Sequence, residues 1–172
     1  MKIAVIGYSG SGKSTLARKL AEKHGVEVLH LDRVHWLPGW QMRTREQKDA
    51  IVGEFLDAHA ADGWVIDGTY SKQHFDRRMS EADQIIIMSF NRFACLCRVV
   101  KRYRTYKGRT REDMGEGCNE KIDLDFVMWV LFRGRTKAVR QRYRNVVEKY
   151  GDKVTVIKNQ RRLDTFERQT GI

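Results

Sequence analysis

Gly7-Tyr8-Ser9-Gly10-Ser11-Gly12-Lys13-Ser14-Thr15 is the stretch that decides the fold. Gly7, Gly12, Lys13 and Ser14 fill the fixed places of the pattern G-x-x-x-x-G-K-[ST]. Before it, Lys2-Ile3-Ala4-Val5-Ile6 is a short β-branched apolar run that reads as a buried strand. After it, Leu16, Ala17, Leu20 and Ala21 recur at helical spacing. A strand, a glycine turn and a helix in that order make a phosphate-binding loop. Its backbone N–H groups, from Gly7 through Ser9, Gly10, Ser11, Gly12, Lys13, Ser14 and Thr15, wrap an anion at a helix N-terminus. Lys13 then reaches the β- and γ-phosphates of a nucleotide, and the Ser14 hydroxyl reaches Mg²⁺.

Working outward, the 172 residues suit one domain over 1–172, with enough chain to bury a core. The apolar start is too short for a cleavable signal, and no apolar run approaches the length of a bilayer span, so a cytoplasmic protein is expected. Three cysteines (Cys95, Cys97, Cys118) make no even framework. Cys95 and Cys97 fall in an expected helix, where residues two apart face different ways, so reduced thiols fit better than a zinc site. The net charge of +11 calls for an anionic partner, either nucleic acid or a small polyanion whose phosphates need several arginines.

Alternating strands and helices follow. Residues 26–31, 64–66, 84–89 and 153–157 read as further strands, and helices are expected near 45–59, 72–80, 92–106 and 163–168. A long helix over 123–150, interrupted near Gly134, fits the remaining periodicity, and Thr44 is the expected N-cap of the helix at 45–59. Residues 33–41, with two tryptophans and Pro38-Gly39, read as an aromatic-walled loop, and 108–119 as a polar segment. The pattern predicts an α/β fold, a parallel sheet with helices on both faces in three layers.

Ligands of such sheets bind beyond the carboxyl ends of the strands. Asp32 and Asp67 stand there, after the second and third strands. Asp67 can hold Mg²⁺ through water, together with Ser14, and Asp32 can orient or deprotonate an acceptor hydroxyl. Both also suit plain turn roles. Among clustered basic residues, Arg98 and Arg102 share one helical face. Arg98, Arg102, Arg109 and Arg142 are the candidates for stabilising a transferring phosphoryl group; the other cations suit a solvated surface. Trp129 and Phe132 read as core. Trp36 and Trp40 suit either a stack on an acceptor ring or packing of their own loop.

By these features the chain resembles nucleoside and small-metabolite kinases of the adenylate kinase type, most closely the topology modulation proteins, or adenylate kinase-related kinases. The shared residues are the Gly7 to Thr15 loop, Leu31-Asp32 with Trp36-Leu37-Pro38-Gly39-Trp40, and Trp64-Val65-Ile66-Asp67-Gly68-Thr69-Tyr70, then Arg98, Arg102 and the stretch with Met114, Gly117 and Cys118. The resemblance implies a P-loop NTPase fold with a five-stranded parallel sheet in the order 2-3-1-4-5, a helical acceptor-binding region at 33–60 and a lid at 108–120. It also implies that Arg98 packs on the donor base, that Arg102 contacts the phosphates, that Arg109 and Arg142 close over the transferring group, and that the backbone near Asn159 and Gln160 borders adenine. Where adenylate kinases place Phe-Pro-Arg after the third strand, this chain has Thr69-Tyr70, so the donor half matches and the acceptor half does not.

The function expected first is an ATP- and Mg²⁺-dependent phosphotransferase acting on a small-molecule acceptor, as a monomer or dimer with the monomer favoured. The second is an ATP-binding regulator that binds DNA and modulates its topology; the charge supports it, but no groove-reading motif is present. A plain NTPase is the third, and it lacks an obvious residue to position water.

Overall fold

Ile3, Ala4, Val5 and Ile6 have no solvent exposure, as a strand covered by helices on both faces requires. They form β1 (Lys2–Gly7), the central strand of the sheet. The computed structural model describes every residue except Glu112 and Glu116, so these two positions of the expected lid lie outside the described residues. From β1 the chain runs through α1 (Lys13–His24), β2 (Glu27–His30), a helical turn α2 (Leu31–His35), and a ribbon of β3 (Trp36–Leu37) with β4 (Gln41–Met42). Then come α3 (Arg45–Ala58), β5 (Trp64–Asp67), α4 (Phe75–Glu81), β6 (Gln84–Met88) and α5 (Arg92–Tyr106). α6 (Leu124–Leu131), α7 (Lys137–Tyr150), β7 (Val154–Ile157) and α8 (Gln160–Thr170) complete it.

The sheet of β2-β5-β1-β6-β7 is parallel throughout. Counted along its own strands, this is the expected order 2-3-1-4-5. Two apolar clusters cover its faces. Ile3, Val5, Val65 and Ile86 pack with Leu16 and Leu20 of α1 and with α5 and α8 on one side. Ala4, Ile6, Ile66 and Ile87 pack with Val52, Leu56, Met79 and Val146 on the other. That is the three-layer arrangement the alternation of elements predicts.

Local chemistry sets the helix starts. Thr44 Oγ1 accepts from the Gln47 N–H at 3.3 Å while Gln47 Oε1 accepts from the Thr44 N–H, a reciprocal cap on α3. Asn91 caps α5 by accepting from the Ala94 N–H at 2.8 Å. The expected long helix divides into α6 and α7 around a turn at Arg133–Arg135, and Thr136 caps the second piece.

Two expectations need correction. Residues 33–41 are not an irregular loop: α2 continues from β2, and β3 pairs antiparallel with β4 across Pro38 and a Gly39 at φ 73°. Pro38 starts the turn and Gly39 supplies the left-handed residue that a tight reversal needs. Trp129 and Phe132 are not core, being 49% and 50% exposed. α6 is apolar at every position but Asp125, and one helix face is all that the body of the protein covers; Val130 takes the buried place.

Arg78 holds the turn after β5 from inside. It is fully buried and donates to Gln73 O at 2.8 Å, Gly68 O at 3.0 Å and Tyr70 O at 2.7 Å. Burial pulls its guanidinium down to about 9, with the charge of Asp67 opposing, so it remains charged at neutral pH. An Arg78→Met variant leaves three carbonyls without a donor. The expected loss is about 3–5 kcal/mol, or roughly 10 °C in Tm, measured by thermal unfolding. An unchanged Tm would show that this guanidinium is not what fixes the segment.

Candidate active site

Gly7 ends β1 at φ 146°, so close to β6 that an added Cβ would lie 2.3 Å from Met88 O. Gly10 turns at φ 76° against Cys95 O of α5. No other residue type fits either approach, so the loop wraps tightly at the strand end. Its ends are tied: Ser11 N–H donates to Tyr8 O at 3.2 Å, and Lys13 Nζ donates to the same carbonyl at 3.2 Å. Thr69, from the neighbouring strand end, accepts from Gly7 N–H and donates to Gly7 O, both at 3.0 Å. The amides that open α1 have no acceptor within their own helix, which suits them to an anion.

Parallel register brings His30 of β2 beside Asp67 of β5. His30 Nδ1 lies 3.1 Å from Asp67 Oδ2, and both side chains are buried. Burial alone would raise the Asp67 carboxyl. The His30 hydrogen bond, the charge of Lys13 and the Ser14 hydroxyl outweigh it and hold the group below the usual carboxylate range. Asp67 Oδ1 is buried with no hydrogen-bond partner among the described residues. An ionised carboxylate with one orphaned oxygen, next to a hydroxyl in a phosphate loop, fits a hard divalent cation that takes one or two protein oxygens and keeps water and phosphate as its other ligands.

Asp67 and Lys13 line a cleft of about 770 Å³. Asp32, which stands in α2, lies in the same cleft, and its Oδ1 accepts from Tyr70 OH at 2.7 Å. Burial first, then the charge and hydrogen bond of Asp32, push the Tyr70 phenol far above its ordinary range, so it stays a donor. His35 stacks on Tyr70 with ring centroids 4.8 Å apart, and Trp36 meets both His35 and Trp40 edge to face. Trp36 and Trp40 thus pack on each other and still face the cleft.

The opposite wall is cationic and internally paired. Arg102 binds Glu120 Oε1 at 2.7 Å; Arg111 lies 2.8 Å from Glu120 Oε2 and 2.8 Å from Asp113. Glu120 is buried, and bridges from Lys107 to Glu120 and from Thr110 to Asn119 close the base of the expected lid. Arg142 lines the cleft from α7. Arg98 Cζ lies 3.9 Å from the centroid of the Phe90 ring, and its guanidinium donates to Ser11 O at 2.6 Å and contacts Gln160 Oε1. Arg109 is exposed and outside the cleft lining, and Asn159 caps α8 by accepting from the Arg162 N–H at 3.0 Å. The structure therefore gathers Lys13, Asp32, Asp67, Arg102 and Arg142 around one cavity, with Arg98 behind the loop and Arg109 and Asn159 apart from it.

Sequence alone assigns no role to Tyr70, Arg111 or Glu120. Tyr70, three residues past Asp67 in the strand-end turn, carries a detectable signal. Glu120 carries none, since it pairs with Arg102 across 18 residues of polar chain. Arg135 was missed as well. It donates to Phe90 O and Val130 O and lies 3.9 Å over the Tyr8 ring, bracing the phosphate loop from the turn between α6 and α7.

A family model described as an AAA domain matches residues 3–117. No curated protein matches the chain. Among solved structures it is similar to deoxyadenosine kinase from M. mycoides with bound dATP, at a TM-score of 0.58 and 15% identity over 100% of both chains. The same enzyme with the products dCMP and a flexible dCDP gives 0.52 and 13% over 99% of each chain. What is shared at this identity is the fold.

Burial, then the charge of Lys48, lowers the His35 imidazole below its ordinary 6.5, with Asp32 opposing. Folding thus favours the unprotonated ring. The contribution to stability is present above pH 6.5 and is lost as pH falls through the lower folded midpoint. An NMR titration of the His35 ring should show a midpoint below 6.5; one above it would mean that Asp32 dominates.

Proposed function

The chain belongs to the AAA-domain family, and from that premise we propose that it is a phosphotransferase moving the γ-phosphoryl group of ATP to a hydroxyl of a small-molecule acceptor. Within the family we assign it to the adenylate kinase-related group that its sequence resembles. The observation that carries this proposal is the Asp32 carboxylate, held by Tyr70 in the cleft that Lys13 also lines. The fold it shares with a nucleotide-bound kinase supports a nucleotide donor.

The acceptor oxygen forms a bond to the γ-phosphorus as the bond to the β–γ bridging oxygen breaks. ADP leaves with that electron pair, and Asp32 takes the hydroxyl proton. Tyr70 keeps the Asp32 carboxylate turned toward the acceptor by donating to Oδ1. Lys13, Arg102 and Arg142 balance charge on the phosphoryl oxygens, and Arg109 joins them from the lid. Mg²⁺, held by Ser14 and Asp67, would neutralise the β- and γ-oxygens. Arg98 braces Ser11 and offers its guanidinium toward the donor base, with Asn159 at the far edge.

A hydroxyl fits the acceptor side better than a phosphate. Arg43 is spent on Arg33 O and Val34 O, Arg77 on Asp57 and Glu81, and Arg78 is buried. With those three engaged elsewhere, a dianionic group placed directly against Asp32 would meet its carboxylate with none of them to balance it.

The test is ATP consumption with Mg²⁺ across nucleosides, nucleoside monophosphates and small hydroxylated metabolites. A hydroxyl acceptor should raise turnover well above background, and Lys13→Ala should abolish the effect. Asp32→Asn should lower kcat by on the order of 10²–10⁴. Turnover that no acceptor stimulates, or that Asp32→Asn leaves intact, would sink the proposal.

A further inference from the structure

A second pocket, of about 340 Å³, shares His35, Tyr70 and Ser71 with the main cleft. Its other walls are Arg45 and Lys48 from the first turn of α3, Lys72 from the segment after β5, and Gln73. Three cations converge there with no carboxylate among the described lining residues. Charged residues at a helix start are usually a solvated surface, and Arg45 also meets Asp49 at 3.6 Å in an exposed, weak pair.

Gln73 separates this pocket from such a surface. The residue is only 3% exposed, and its Oε1 is buried without a hydrogen-bond partner among the described residues. His35 Nδ1, on the shared wall, is likewise buried and unpartnered. Buried polar groups are almost always paired, and both of these unpaired atoms belong to residues that line this one pocket. The Gln73 amide can turn to present its NH₂, and a neutral imidazole can carry its proton on Nδ1; both then donate. Two neutral donors and three cations around a small cavity are the complement of an anionic oxygen group.

We propose that this pocket is an anion subsite, binding a phosphate or carboxylate group beside the acceptor hydroxyl. On the phosphotransferase reading, on which this rests, the acceptor is bifunctional: its reacting hydroxyl lies at Asp32, and its anionic group lies past His35 and Tyr70. The same chemistry would also hold a free inorganic anion next to a neutral acceptor.

The experiment titrates the ¹⁵N-labelled full chain with inorganic phosphate while a non-hydrolysable Mg-ATP analogue fills the phosphate loop. Saturable shifts are expected at the Ser71, Lys72 and Gln73 amides, weakened at least tenfold in a Lys48→Ala, Lys72→Ala double variant. Lys72 is exposed, Lys48 half-buried, and neither belongs to an apolar cluster, so the fold is kept. Absence of saturable shifts in the wild type, or equal binding by the variant, overturns the subsite. Matched pairs then identify the source of the anion: glycerol against glycerol 3-phosphate, and nucleosides against their 3′-monophosphates, each read by ATP turnover. A KM at least tenfold lower for the phosphorylated members, lost in the double variant, places the anion on the acceptor. Phosphate binding without such a gain identifies a free anion. Failure of the ATP analogue to shift the Gly10, Gly12 and Lys13 amides would instead count against the kinase reading and leave the phosphate result standing.

Discussion

The buried carboxylate of Asp67 is the constraint around which the cleft is organised. An unpaired ionised carboxylate taken out of water costs several kcal/mol, so it survives only where neighbours repay that cost. His30 does so from β2, and Lys13 and Ser14 do so from the start of α1. Three elements far apart in sequence are thereby held to one point at the carboxyl end of the sheet. Register is part of the same constraint. A slip of one residue between β2 and β5 would replace His30 with a residue facing the other side and leave the charge exposed to an apolar core.

The large positive charge has a comparable structural logic. Much of it is wired into the fold rather than offered to solvent. Arg78 knits the turn after β5, Arg43 ties the end of α2, Arg135 spans Phe90, Val130 and Tyr8, and Arg98 bridges α5 to the phosphate loop. Guanidinium suits this work because it presents five donors in a rigid plane and can stack on rings while it bonds carbonyls. Of the three arginines lining the cleft, Arg102 and Arg111 are held by Glu120. On the proposed reading, a polyphosphate entering the cleft would compete with that carboxylate for the same guanidiniums.

Sequence alone reaches those parts of the molecule whose cause is local. The phosphate loop declares itself because its glycines, lysine and serine are consecutive. α5 is legible as a helix over 92–106, Asp67 because it ends an apolar strand, and Asp32 because it closely follows one. The ribbon of β3 and β4 was not legible. Two-residue strands have no periodicity to detect, and Trp36-Leu37-Pro38-Gly39-Trp40 has the composition of a loop. Trp129 and Phe132 misled for the opposite reason: an apolar run says that a helix can be buried, and tertiary packing decides how much of it is. Arg78, Glu120 and Gln73 act through partners that only the folded chain supplies.

The two halves of the cleft owe their chemistry to different kinds of structure, and this governs what the fold can reveal about the substrate. On the donor side, recognition is done by backbone amides, a strand-end glycine and a lysine at a helix start, all fixed by the sheet itself. The fold around them is shared with a solved kinase only 15% identical, over the whole length of both chains. On the acceptor side the walls come from α2, the ribbon and the turn after β5, short segments whose side chains can change without disturbing a single sheet hydrogen bond. Function on a common fold resides in such segments. On the proposed reading the acceptor is met by Asp32, His35, Trp36, Trp40 and Tyr70 with their basic neighbours on α3, a set that would suit a ring or chain with a hydroxyl at one end and negative charge at the other.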